Sequence, residues 1–407
     1  MSDSSMVIPE GTRLLHIGPP KTGTSALQSA CHACRGPLRA QGVRYAGAAK
    51  QASTAAFAVT RRVHPSTGKP PSMRHWSSLL REVRRAREAR VFISSEFFAG
   101  ASDEQAAKIV RDLDPSRIQI AVTLRPIARI LGSRWQQNVQ EGARIHYEEW
   151  LHAVLETPES EHGTRFWSRQ RHDALVERWA RAAGSDRVTV VIVDEQDPRA
   201  LLENFEDLLG VNRGTLLPQH DAANRSMTLE EIEAVRTFNE QYFAEHFSKS
   251  LHYKVMARGA ALHLKSRAPL PSDARLVTPA WAVEIANGYG VKISESIRKL
   301  GVRVVGDLGS LVVPMPESTS EAPHTPTVVG IAPEVAARMA MGVLLASGRA
   351  RGERGAGKGR LGPTWSEPQE LFRISTLELV GAIIRRIWAG GAEKIAGLFE
   401  RHEPPRR

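Results

Sequence analysis

Cysteine is nearly missing from this sequence, with two in 407 residues, Cys31 and Cys34. A disulfide framework and a four-cysteine zinc site are thereby excluded. Long apolar runs are missing too, and none approaches the roughly 20 residues that span a bilayer. The first residues, Met1-Ser2-Asp3-Ser4-Ser5, are polar and lack the basic flank and apolar run of a signal peptide. These absences lead us to expect a soluble, cytoplasmic protein without a transmembrane segment.

The chain does carry enough apolar residues, 42%, for one large core or two moderate ones. Lysine and arginine exceed aspartate and glutamate by 11, an excess that draws anionic ligands. The densest basic runs, Arg81 to Arg90 and Arg349 to Arg360, do not interleave aromatics as a nucleic-acid strand surface does, so we expect solvated charged faces and no nucleic-acid partner. Cys31 and Cys34 form a C-x-x-C pair, which can be a redox centre. Yet Leu27, Cys31, Cys34 and Leu38 follow the i, i+4, i+7, i+11 spacing of one apolar helical face, and we read them as packing residues.

From Arg13 to about Val211, short β-rich runs alternate with longer helical stretches, the pattern of a parallel sheet flanked by helices. Strands are expected at 13–17, 90–95, 118–124 and 188–193, with a further β-like run at 302–307. A helix is expected from Thr24 to about Arg35, where Gly36-Pro37 interrupts it, and another after Arg125-Pro126 to about Gln140. Two connections exceed a minimal strand-helix unit. Residues 46–75 are rich in Ala, Ser, Pro and Gly, and 138–170 are helical with Trp150, Phe166 and Trp167, so both are assigned to acceptor binding. Residues 10–312 are expected as one α/β domain of P-loop NTPase-like type, 313–327 as a linker, and 328–407 as a helical C-terminal extension. Within that extension Thr376 to Phe399 is amphipathic and expected to dock on the main domain.

The chemistry is concentrated at the end of the first strand. His16-Ile17-Gly18-Pro19-Pro20-Lys21-Thr22-Gly23-Thr24-Ser25 matches G-x-x-x-x-G-K-[ST] at Gly18, Gly23 and Ser25, but Thr24 stands where the lysine belongs and Lys21 comes three places early. A glycine loop opening a helix binds phosphate through unpartnered N–H groups and the helix dipole. A lysine on the outer side of that loop can neutralise an oxygen that bridges a 5′-phosphate and a departing group. Sulfuryl transfer has that need and requires no metal.

At these residues the chain resembles the sulfotransferase family, of bacterial type, which uses 3′-phosphoadenosine 5′-phosphosulfate. Its 5′-phosphosulfate loop is similar to Pro20-Lys21-Thr22-Gly23-Thr24-Ser25. The family also carries an arginine at a strand end and a serine eight residues later that grip the 3′-phosphate, and here Arg125 follows Leu124 with Ser133 eight places on. In that register Arg129 and Arg134 have no cofactor role. The resemblance implies a base just beyond the preceding strand, which makes Glu96 the candidate and His146 the reserve, with His16 packed inside. Asn224-Arg225-Ser226 is similar to the family's C-terminal loop and implies a phosphate contact from Arg225, ahead of a helix capped by Thr228. The resemblance covers roughly residues 10–310. It implies a carbohydrate, lipid or small-molecule acceptor.

Read singly, Lys21 is a loop lysine, Arg125 a strand-exit arginine, Ser133 a helix surface residue, and Glu96 a cap or an ion-pair partner. Two other functions stay open. One is a Mg-dependent nucleotide kinase or triphosphatase with a degenerate loop, with Asp194 after Val193 as metal ligand. The other is a nucleotide-binding module without catalysis.

Overall fold

A computed structural model describes residues 6–63, 68–197, 199–219, 225–315 and 330–347. The chain forms two compact units: Met1–Gln137 with Ile145–Asp221 and Leu276–Pro326, and Asn138–Arg144 with Ala222–Arg275 and Thr327–Arg407. Of the described residues, 225–275, which fall in the block expected over 10–312, group with 330–347 instead of with the sheet. Most of the expected linker and the Thr376 to Phe399 stretch lie outside the described residues.

The first unit is built on one six-stranded sheet, β1 (Arg13–Ile17), β2 (Val43–Tyr45), β3 (Arg90–Ser94), β4 (Ile118–Leu124), β5 (Val188–Ile192) and β6 (Arg303–Val305), in the order β2-β3-β1-β4-β5-β6. Every pairing is parallel. All five residues of β5 are buried, as a strand covered by helices on both faces requires. Over one face lie the helix α1 (Thr24–Ala33) and the helix Ala200–Leu209, burying Leu27, Cys31 and Phe205 against Leu14, Phe92 and Val191. On the other face His172–Ala183 packs on β4 and β5. The α/β parallel architecture expected from the sequence is the one found.

Local departures have local reasons. β2 was not expected, because three residues carry too little pattern to register. The first helix ends at Ala33, not Arg35, and Gly36-Pro37 opens a second short helix, Arg35–Ala40, instead of closing the first. Proline is tolerated in a first turn, where its missing N–H has no intrahelical partner to lose. The apolar face continues across the break, so Leu27, Cys31, Cys34 and Leu38 are all buried. Burial also pushes the Cys31 thiol up, which leaves no reactive thiolate.

Within the second unit, Leu229–Ala244 begins with a capping box between Thr228 and Glu231. Glu231 is fully buried and shared between Arg225 and Arg267. A π-helical stretch, Tyr253–Ala260, lies against Pro333–Ser347. There Gly259 and Gly342 meet so closely that a Cβ on Gly342 would come within 2.5 Å of the Ala260 Cα.

Candidate active site

Three neighbouring parallel strands deliver the candidate residues to one carboxyl edge. β1 lies between β3 and β4, the point where the chain turns from building one side of the sheet to the other, and ligands bind outside the strand ends there. His16 is in register with Ser94, and Ile17 with Val122. The loop after β1, Glu96 after β3 and Arg125 after β4 therefore emerge side by side.

The loop is held from beneath by side chains. Thr22 Oγ1 donates to the Pro19 carbonyl at 2.8 Å and lies 3.0 Å from Thr123 Oγ1. His16 bridges the adjoining strands, with Nε2 3.2 Å from Thr123 Oγ1 and Nδ1 2.8 Å from Ser94 Oγ. Gln28, from α1, donates to Ser94 Oγ at 3.1 Å, and the buried Gln170 donates to the Pro20 carbonyl at 3.3 Å. His16 is completely buried, and burial lowers its pKa to about 3, so it is a neutral packing residue as expected. Ser94, Thr123, Gln28 and Gln170 were not legible in the sequence, because each acts through a partner distant along the chain.

Gly18 has no room for a side chain: a Cβ would fall 2.2 Å from Thr24 Cγ2 and 2.4 Å from Thr123 Oγ1. Gly23, at φ 80°, is the N-cap of α1, whose first turn carries no acidic residue and no side-chain cap. Backbone donors at a helix end of this kind are suited to an anion. Lys21 has φ 76°, a left-handed backbone rare for a residue with a Cβ.

Glu96 opens a 3-10 turn, Glu96–Gly100, capped by Ser95. Burial raises its pKa, while the charges of Lys21, Arg62 and Arg134 and a hydrogen bond from Thr24 pull the other way. The loop and the carboxyl group therefore share one electrostatic environment. Residues 46–63 reach this place too. Gln51 Oε1 accepts from Ser95 Oγ at 2.8 Å, and the Arg62 guanidinium lies over the stacked rings of Phe57 and Phe97, 5.4 and 5.1 Å from their centroids.

Trp150, Phe166 and Trp167, in the connection assigned to acceptor binding, are buried. Arg134, given no cofactor role by the register, is 1% exposed, and its charge acts on Glu96. Arg129 shares the Glu195 carboxylate with Arg125: Arg125 Nε is 2.5 Å from Oε1 and Arg129 Nε 3.2 Å from Oε2. Arg125 Nη1 also reaches the Lys21 carbonyl, at 3.5 Å. Ser133 is half-buried and donates to the Ile130 carbonyl of its own helix.

Arg225, expected at a phosphate, is engaged inside the second unit. Its Nε donates to the Lys265 and Arg267 carbonyls, Nη1 and Nη2 straddle Glu231, and these nitrogens also serve Ser226 and Leu264. That uses its whole donor fork. Asn224 lies outside the described residues. His146 is the exposed N-cap of Tyr147–Leu155 and makes no capping bond. Asp194 is exposed, and its Oδ1 accepts the Gln196 N–H.

No protein-family model matches the chain, and no curated protein matches it significantly. Among solved structures, the crystal structure of a sulfotransferase from Alicyclobacillus acidocaldarius is similar to it at 18% identity and a TM-score of 0.36, over 59% of this chain and 94% of that one. No described helix is long and apolar enough to cross a membrane.

Proposed function

We propose that the protein is a sulfotransferase that moves a sulfuryl group from 3′-phosphoadenosine 5′-phosphosulfate to an acceptor hydroxyl or amine. The observation that carries this reading is the neighbourhood of Lys21 and Glu96 around an uncapped helix N-terminus. The residues suit the cofactor. The Gly18 cradle admits no side chain, and Gly23 to Ser25 present backbone donors for a 5′-phosphate. Arg125 and Ser133 are assigned to the 3′-phosphate. When bound, the phosphosulfate supplies the sulfuryl group and a phosphate that can leave.

Lys21 neutralises the charge that grows on the leaving phosphate oxygen, an interaction stronger in the transition state than before it. Glu96 accepts the proton of the acceptor hydroxyl or amine. Its raised pKa strengthens it as a base, while the charges of Lys21, Arg62 and Arg134 favour the carboxylate form. Pro20 and Thr22 shape the loop through the contacts of Gln170 and Thr123.

The test is incubation with labelled phosphosulfate and an extract of small molecules and glycans, read by mass spectrometry. The expected result is adenosine 3′,5′-bisphosphate together with sulfonated products. Hydrolysis of ATP that depends on magnesium, without sulfonation, would support the triphosphatase reading through Asp194. Tight bisphosphate binding without transfer would leave only a binding module.

A further inference from the structure

The ion pairs at the end of β4 say something about how the site handles its nucleotide, on the reading just given. Arg125, just after β4, and Arg129, in the first turn of the helix Ile127–Gln140, each aim Nε at a different oxygen of the same carboxylate, Glu195. That carboxylate comes from the segment just after β5, whose last residue, Ile192, is in register with Leu124. Two guanidinium groups converging on two oxygens of one anion is the arrangement a phosphate monoester takes between arginines. Glu195 is itself only partly covered, at 28% side-chain exposure. Its release into water is therefore cheap. It follows Asp194, whose own hydrogen bond to the Gln196 N–H shapes the turn and does not tie the Glu195 side chain down.

We infer that Glu195 is an intramolecular counterion which a nucleotide's 3′-phosphate displaces, and that Arg129 is that phosphate's second cation beside Arg125. A phosphate dianion carries more charge than the carboxylate and can take the arginines from it, whereas a 3′-hydroxyl cannot. While the 3′-phosphate is bound, Glu195 competes for the same arginines, which shortens the stay of the bisphosphate product. The device holds two cations in place without leaving them open to any passing monoanion.

The experiment compares adenosine 3′,5′-bisphosphate with adenosine 5′-monophosphate on the full chain, using calorimetry for affinity and stopped flow for release. Glu195→Ala should tighten bisphosphate binding about three- to tenfold, with slower release, and leave the monophosphate within about twofold. Arg129→Ala should weaken the bisphosphate about tenfold and spare the monophosphate. Unchanged or weaker bisphosphate binding by Glu195→Ala overturns the counterion role. Equal losses for both nucleotides in Arg129→Ala overturn the second-cation role. If neither nucleotide binds the parent protein, the cofactor reading of the site falls, and this inference with it.

Discussion

Thr22 and Thr123 face each other with their Oγ1 atoms 3.0 Å apart, and this pair sets the direction of every proton beneath the loop. Thr22 gives its hydroxyl proton to the Pro19 carbonyl, so it can only accept from Thr123. Thr123 has then used its own proton and must accept from His16 Nε2, which leaves His16 Nδ1 to accept from Ser94. Thr123→Val removes the middle of this chain and strands the buried His16 Nε2–H, at a cost of about 1–3 kcal/mol. Thermal unfolding should show that loss, and calorimetry with the bisphosphate should show weaker binding. Nitrogen NMR of His16 should report the Nε2–H tautomer at neutral pH.

Gly18→Ala tests the cradle itself. The added methyl would meet Thr24 and Thr123 at distances no pair of atoms tolerates. The loop must shift, and a loss of about 3 kcal/mol or more is expected together with lost nucleotide binding. Parent-like binding by this variant would show that the loop is not the phosphate site.

Lys21 carries a backbone strain and a charge, and two substitutions separate them. Lys21→Ala keeps the left-handed φ of 76° and removes the amine, so turnover should fall about 10²- to 10³-fold with the fold intact. Lys21→Gly removes the amine and the strain, and should be more stable than Lys21→Ala by about 0.5–1 kcal/mol while equally inactive. Near-normal sulfuryl transfer by either variant would contradict the role given to Lys21.

Glu96 has a raised pKa, so its charged form is disfavoured in the fold. The stability tied to this group is present at low pH and is lost as pH rises through the folded value. Glu96→Gln, neutral at every pH, should therefore be more stable than the parent at pH 8 and gain little at pH 4. The same substitution should lower turnover about 10²- to 10⁴-fold and abolish the acid limb of the pH–rate profile. An unaltered acid limb would point to another base, His146 being the next to replace.

His16 and His172 are buried, and burial lowers their pKa to about 3 and about 4. Both stay neutral in the fold where the unfolded chain, near 6.5, binds protons. Stability is therefore complete above pH 6.5 and falls as pH drops toward 4, by about 1.4 kcal/mol per pH unit for each histidine. Denaturant unfolding at pH 7 and pH 5 checks this, and His172→Gln should make the slope shallower.

Local pattern carried much of this protein. The periodicities of 118–124 and 188–193, the glycine spacing of the first loop and the Thr228 cap all depend on neighbours within a few residues, so the sequence displays them. A parallel sheet with a glycine loop after its first strand follows from those signals. What tertiary structure alone decided are the partnerships between distant segments. Strand order brings Glu96 beside Lys21 and sets Glu195 against Arg125 and Arg129, while Thr123 finds Thr22. Arg225, which the family resemblance implies as a phosphate contact, is bound to the buried Glu231. Hydrogen bonds and ion pairs of this kind depend on which strands lie side by side and in what register, and no short-range spacing encodes that.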